Sequence, residues 1–454
     1  MSRKVALIGG GGVRTPLLIH GLAHAQAQLD LEEFALYDCD SARMQVMARI
    51  GREIVRRAGA HFRVETYSDL ESAARGAEFV FHSIRVGGIE ARARDERIAM
   101  EHQLAGQETT GAGGVAMALR TVPVVLEQAR ILEQVAPDAW VISFTNPAGL
   151  VAQALASRTK LRAIGICDTP IELFHRIAAA LREPYEDLAF DYAGLNHLGW
   201  VRSVRLRGTD VTERILDDAA ILESLYPARL FDPKLIQTLR LIPSEYLFFY
   251  YCQRRAYENQ VRNGASRGEE LVRLNHELFA ELARQSPARA VETYRSYLLR
   301  RNASYMKVEA EATSAFQVAE EAYDPFETAT GYHRIGVDVI AALLSDDPKD
   351  VVVNVLNGGS IADLQADDVV EVACEISRSG VKPRPAGHLP ESVRGLVLSV
   401  KAYERTAIRA AAERSPALAE LAMLEYPIIG QWDLARSLRG AMARSDPGYL
   451  GYLE

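Results

Sequence analysis

The feature that most constrains this chain stands at its start. Val5-Ala6-Leu7-Ile8 is a short aliphatic run that breaks into Gly9-Gly10-Gly11-Gly12, and a helical stretch opens near Thr15. A buried strand, a glycine turn and a helix in that order let the backbone approach a pyrophosphate closely, with the helix N-terminus stabilising the charge. A second apolar run over 34–38 ends in Asp38, about where an acid accepts ribose hydroxyls in such folds. An acid there repels a 2′-phosphate, so the pattern favours NAD over NADP. Gly9, Gly10, Gly11, Gly12, Val13, Arg14 and Asp38 are the candidate cofactor residues. Arg14 stands where the usual fingerprint has its third glycine, so close packing there must be achieved differently.

Strand-like runs over 5–9, 34–38, 78–83, 140–144 and 162–167 alternate with helical stretches, notably 115–135 and 170–181. This alternation predicts an α/β fold, a Rossmann-like doubly wound parallel sheet with ligands at the carboxyl ends of its strands. It stops near residue 190. Runs over 189–193 and 200–207 read as strands of another kind, joined by a short loop holding His197. The remainder is mainly helical around 243–257, 269–284 and 291–316. Strands over 351–355 and 369–376 interrupt it, flanking Gly358-Gly359-Ser360. The polar stretch 255–267 reads as a mobile loop. The expected organisation is an NAD-binding domain over 1–190 and a mixed α+β domain over 191–454 for substrate, metal and oligomer contacts.

Composition narrows the ligand. At 454 residues the chain is too long for one core. A net charge of -8 argues against nucleic acid, so any anionic ligand must meet a local cluster of arginines. No run is apolar enough to span a membrane, and the basic pair Arg3-Lys4 leads straight into the glycine turn rather than a signal sequence. Cys39, Cys167, Cys252 and Cys374 show no paired spacing, which argues against a disulfide framework. Together these predict a cytoplasmic protein acting on a small molecule.

Two residues add a metal. Cys167, in Ile166-Cys167-Asp168-Thr169-Pro170, follows a strand at the sheet's carboxyl edge, and His197 lies in the loop Leu195-Asn196-His197-Leu198. A lone Cys or His is most often an ordinary core residue. At these places thiolate and imidazole can instead hold a divalent ion and leave positions open for substrate oxygens. A hydride carrier and a Lewis acid over one substrate imply redox chemistry at a carbon bearing oxygen. A plain NAD-dependent 2-hydroxy acid dehydrogenase shares the N-terminal turn and stays open on these residues alone.

The motifs, taken in order, carry a resemblance. They are Gly9-Gly10-Gly11-Gly12-Val13-Arg14-Thr15-Pro16, Arg85-Val86-Gly87-Gly88, Gly106-Gln107-Glu108-Thr109-Thr110-Gly111, Phe144-Thr145-Asn146-Pro147-Ala148-Gly149, Cys167-Asp168-Thr169-Pro170, Gly194-Leu195-Asn196-His197-Leu198 and Asn357-Gly358-Gly359-Ser360-Ile361. The set resembles the NAD- and metal-dependent glycosidases of glycoside hydrolase family 4, which depart from the two-carboxylate mechanism. The Gly-Leu-Asn-His-Leu form is most similar to the 6-phospho-β-glucosidase branch.

The resemblance implies a route with no net oxidation. NAD⁺ takes hydride from C3 of the sugar, the ketone acidifies C2, the aglycone is eliminated, water adds, and hydride returns. A divalent ion, usually Mn²⁺, chelates the C2 and C3 oxygens. By the same resemblance Cys167 and His197 are metal ligands and Tyr246 is the base at C2. Asn146, Glu108, Arg92 and Arg267 contact the sugar or its phosphate, and the active unit is a homodimer or homotetramer. Asp168 stands where the phospho-β-glucosidases carry Asn and matches the phospho-α-glucosidases. An acid there could protonate an axial leaving group, so an α-glycosidase of the family stays open beside the β reading. A uronate likewise stays open beside the phosphate.

Overall fold

The computed structural model describes residues 3–226, 229–303, 305–306, 308, 324–328 and 330–454. Its centre is one 13-stranded sheet. The strands are β1 Arg3–Ile8, β2 Leu31–Tyr37, β3 Arg63–Tyr67, β4 Phe79–His82, β5 Trp140–Ser143, β6 Arg162–Gly165, β7 Leu188–Leu195, β8 Leu198–Leu206, β9 Thr209–Asp210, β10 Ile242–Pro243, β11 Lys349–Leu356, β12 Val369–Ser377 and β13 Gly380–Pro383. The first six lie parallel in the order β3-β2-β1-β4-β5-β6. This is the doubly wound arrangement, and its order reverses between β1 and β4. The fold is the α/β class that the alternation predicts.

Alternate side chains of β1 enter different cores, Val5 and Leu7 on one face and Ala6 and Ile8 on the other. A parallel sheet covered by helices on both faces requires this, and it explains why β1 reads as an unbroken apolar run. Beyond β6 the sheet continues with antiparallel strands. Asn354 on β11 pairs with Gly165 on β6, and β12 joins β7 through Glu371 and Val372. A side chain at 165 would lie 2.8 Å from the Cβ of Asn354, so glycine permits this junction.

Several expectations change. β3 is short and half-exposed, with the sequence Arg-Val-Glu-Thr-Tyr, and its weak apolar alternation hid it. The 243–257 stretch is not one helix. It breaks into β10, a 3₁₀ turn Glu245–Leu247, and helices Phe248–Tyr251 and Gln253–Asn263. The polar stretch 255–267 is not a loop. The helix Gln253–Asn263 covers most of it and stops at Gly264, where φ is +76°. Ser266 then opens the helix Arg267–Leu282 with a capping box to Glu269. Polarity there marks an exposed helix face. The expected 291–316 helix is Pro287–Ala303, and residues 309–323 lie outside the described residues. Among the described residues no helix is long and apolar enough to cross a membrane.

Candidate active site

β1 delivers the glycine turn to the point where strand order reverses. Gly9 has φ +101°, and a Cβ there would lie 2.0 Å from the Ser83 carbonyl oxygen. At Gly11 it would lie 3.0 Å from Asp38 Oδ2, and at Gly12 3.2 Å from the Gly9 carbonyl oxygen. At Gly10 a Cβ would lie 3.0 Å from the Leu36 Cβ. The turn is thus a bare backbone cradle of the sort a pyrophosphate needs. Arg14 is the N-cap of the helix Thr15–Leu29 and makes no capping bond, which leaves the first-turn amides without a side-chain acceptor. A cavity of about 100 Å³ lies on the turn, lined in part by Gly12, Val13, Arg14, Ser83 and Asn146. The Val13 carbonyl is pinned by the Tyr294 hydroxyl at 2.6 Å. Asp38, just after β2, accepts the Gly11 N–H at 2.8 Å and the Asp40 N–H at 2.9 Å.

Arg14 lies over the Tyr332 ring, 4.1 Å from its centre. Close helix packing is supplied by Gly21 instead, where a Cβ would lie 2.8 Å from the His333 carbonyl oxygen. Arg14 lines both the small cavity and a main one of about 520 Å³. The main cavity gathers Arg14, Arg92, Glu108, Asn146, Asp168, Tyr246 and Arg267, every substrate and catalytic candidate together. Asp38 stands outside it, at the far side of the glycine turn.

Several of the cavity's charges are paired. Glu108 is held by Arg85 at 2.6 Å and Arg92 at 3.0 Å, and Arg92 also bonds Glu96 at 2.7 Å. Burial works against the Glu108 charge, but Arg85, Arg92 and Arg14 outweigh it and hold the carboxyl well below the usual range. Arg267 donates to the Arg301 carbonyl at 2.9 Å. Asp168 heads the helix Thr169–Leu181, and Glu172, Arg176 and Ala179 line the same wall on later turns. Burial raises the Asp168 carboxyl, with Glu245 adding to the effect and Arg14 opposing it. Asn146 Oδ1 is buried without a hydrogen-bond partner.

Cys167 and His197 meet one layer behind this wall, both buried, with Sγ 3.5 Å from Nε2. Ligands of one ion at lengths of about 2.3 Å for sulfur and 2.1 Å for nitrogen stand about 3.5 Å apart at a near-tetrahedral angle. Burial pushes the His197 pKa down to about 3, so the ring is neutral, as a metal ligand must be. Burial also raises the Cys167 thiol, which makes a bound cation the condition for thiolate. The pair fits a divalent ion. Among the described residues no third His, Cys, Asp or Glu joins it, which leaves room for substrate oxygens. His197 has φ +62° in the two-residue turn between β7 and β8. Asn196 beside it donates to buried Glu371 at 3.0 Å, and Tyr192 and Asn354 hold the same carboxyl. Tyr246 stacks on the His197 ring at 3.7 Å, with 4° between the planes. Burial raises its phenol well above the usual value, and Glu108 adds to that.

Residues 4–183 match the model of family 4 glycosyl hydrolases, and residues 192–429 match that of the family's C-terminal domain. The chain belongs to family 4 of the glycosyl hydrolases. The 6-phospho-beta-glucosidase of Escherichia coli (strain K12) is 31% identical over 90% of this chain and 87% of that protein. The 6-phospho-beta glucosidase of Thermotoga maritima, solved with manganese, NAD+ and glucose-6-phosphate, is 26% identical with a TM-score of 0.83, over 98% of this chain and 99% of that one. A 6-phospho-alpha-glucosidase from gut microorganisms, solved with NAD and glucose-6-phosphate, is also 26% identical, with a TM-score of 0.82 over 99% of both chains.

Sequence reasoning overlooked several residues that line these two cavities. Arg85 lay in a motif already singled out. Glu172, His175 and Arg176 recur at helical spacing after Asp168 and could have been read as one polar face, with Ala179 continuing it one turn on. Arg301 and Tyr332 come from distant segments and carried no local signal.

Proposed function

We propose that this family 4 enzyme hydrolyses a 6-phosphorylated β-glucoside by oxidation at C3, deprotonation at C2, elimination of the aglycone, addition of water and re-reduction. The observation that carries the reading is the junction of three groups. Asn146, with its free oxygen, lines both the main cavity and the one on the glycine turn, while Tyr246 lines the main cavity and stacks on His197, which lies beside Cys167 just behind that wall. When bound, NAD would exchange hydride with C3 and a divalent ion, Mn²⁺ by preference, would polarise the C2 and C3 oxygens.

The chain's own residues do the rest. The glycine turn through Arg14 holds the pyrophosphate, and Asp38 takes the ribose hydroxyls. Cys167 and His197 hold the ion. Asn146 Oδ1 accepts from a sugar hydroxyl, and Glu108 orients the ring through the Arg85–Arg92 clamp. Tyr246 takes the C2 proton. Its buried phenol needs a positive charge close by, and a cation held by Cys167 and His197 would supply it, since Tyr246 stacks on the His197 ring. Arg92 and Arg267 meet the phosphate. Residues 1–190 bind the cofactor, residues 191–454 complete the site, and a homodimer or homotetramer in the cytoplasm is the working form.

Asp168 favours a second reading. Its raised carboxyl lines the cavity and can give a proton to an axial glycosidic oxygen, as an α-glycosidase needs. A panel of α- and β-nitrophenyl glucosides, with and without 6-phosphate, decides between them. Nitrophenol release should require the phosphate, NAD⁺ and Mn²⁺ and stop with chelator. Release without NAD⁺ would overturn both readings.

A further inference from the structure

We propose that Gln107 and Thr109 lock the tautomer of His197, so that Nε2 always presents a lone pair beside Cys167. The inference rests on the reading of Cys167 and His197 as the metal pair. The Gln107 side-chain oxygen accepts the backbone N–H of Thr109 at 2.5 Å and of Thr110 at 2.8 Å. Two backbone donors converge on one atom, so that atom must be the oxygen and not the amide nitrogen. The Thr109 hydroxyl lies 2.8 Å from the same oxygen. An amide oxygen can only accept, so the hydroxyl commits its single hydrogen there. Its oxygen then faces His197 Nδ1 at 2.9 Å as an acceptor. That bond exists only if Nδ1 carries the proton. Nε2 is left bare, 3.5 Å from Cys167 Sγ. The opposite tautomer would require the Thr109 hydroxyl to turn from Gln107 and donate to Nδ1, giving up its 2.8 Å bond in a buried place, where an unmade hydrogen bond is costly.

The lock is held from behind. A Cβ at Gly113 would lie 2.2 Å from the Gln107 carbonyl oxygen, and one at Gly114 would lie 2.4 Å from that of Thr109. The 106–110 loop therefore rests on the first turn of the helix Gly111–Val135. Thr109 is a positioning residue, acting on the ion through His197. Hydrogen bonds to the second nitrogen of a ligating imidazole fix ring and tautomer, and their loss weakens metal binding about 10–100-fold.

The test titrates Mn²⁺ into the full-length enzyme and reads free ion by electron paramagnetic resonance, with NAD⁺ calorimetry beside it. The variants are Thr109→Val, Thr109→Ser and Cys167→Ser. Thr109→Val should raise the Mn²⁺ Kd about 10–100-fold and leave NAD⁺ affinity alone, and Thr109→Ser should restore the wild-type value. Wild-type Mn²⁺ affinity in Thr109→Val overturns the lock. A loss in Thr109→Val that Ser does not restore, or that extends to NAD⁺, marks Thr109 as merely structural and overturns it too. Unchanged affinity in Cys167→Ser would instead sink the metal pair itself.

Discussion

Asp38→Asn probes the cofactor reading most directly, because the structure shows what each carboxylate oxygen already does. Oδ2 accepts the Gly11 N–H and Oδ1 the Asp40 N–H, at 2.8 and 2.9 Å. Oδ2 keeps a second acceptor position, and on Oδ1 only the weak Cys39 thiol bond at 3.7 Å need give way, so a pair of ribose hydroxyls can be met without disturbing the loop. Asparagine retains one acceptor and turns a donor toward a backbone N–H or a hydroxyl. A net hydrogen bond to a charged group is worth about 1.5–3 kcal/mol. The half-exposed site and the surviving carbonyl reduce this, so NAD⁺ binding should weaken by about 1–3 kcal/mol, roughly 5–150-fold. Calorimetric titration measures it. Nicotinamide mononucleotide, which lacks the adenosine ribose, should bind both proteins alike, and NADP⁺ should gain relative to NAD⁺ as the repelling charge goes. Unchanged NAD⁺ affinity would refute the argument, leaving Asp38 as a loop anchor only.

Four further outcomes follow from named contacts. Cys167→Ser should keep its fold and NAD⁺ affinity but lose Mn²⁺-dependent turnover, since a hydroxyl is a poor substitute for thiolate; near-normal, metal-dependent turnover would contradict this. Tyr246→Phe should slow C2 exchange in heavy water by about 10²–10⁴-fold, and deuterium must appear at C2 of the wild-type product if elimination is the route. Arg120→Met strands the buried carboxylates of Asp95 and Asp446, each now bonded at 2.7–2.8 Å. Denaturant unfolding should show a loss of about 3–5 kcal/mol, and an unmoved midpoint would refute it. Burial raises the Glu371 carboxyl from 4.5 to about 6, despite hydrogen bonds from Asn196, Tyr192 and Asn354. Folding therefore takes up a proton between those values, and stability falls as pH rises through them. Glu371→Gln lacks this loss, so the melting-temperature gap between variant and wild type should move in the variant's favour from pH 4.5 to 6.

The sequence revealed what repeats locally. β1, β2, β4, β5 and β6 are near-continuous apolar runs because both faces of a parallel sheet are buried, and the glycines between strand and helix have few other uses. β3 fails the same test because it is a sheet-edge strand with little to bury. The 255–267 stretch misled for a related reason. A helix whose buried residues are Ala256, Asn259 and Gln260 shows almost no apolar stripe, and Gln260 earns its burial by bonding both the amide and the carbonyl of Gly106. In the candidate site, the motifs single out Cys167, His197 and Tyr246, and the fold brings the three together. Their contacts with Thr109 and Tyr332, and the bond from neighbouring Asn196 to Glu371, join residues far apart in the chain, and no spacing rule reports them.

Charge explains how an acidic chain can still meet an anion. Among the described residues lining the main cavity are five arginines, 14, 92, 176, 267 and 301, and five carboxylates, at 96, 108, 168, 172 and 245. If all were ionised, the arginines would be cancelled. They are not all ionised. Burial raises the Asp168 carboxyl, and burial together with Asp168 raises Glu172 to about 8, so near neutral pH the guanidiniums outnumber the negative charges. The same desolvation thus leaves positive charge for a phosphate and works against ionisation of Asp168 in the cavity wall. An arriving phosphate would favour the protonated state further, since each negative charge added to the cavity raises the carboxyls around it. Phosphate binding and the supply of an acid are one linked equilibrium in this arrangement. Asp168→Asn should therefore reduce turnover most on substrates with poor leaving groups and least on nitrophenyl glycosides, whose aglycone departs without a proton. Equal loss on both would separate Asp168 from proton donation and leave it a role in binding alone.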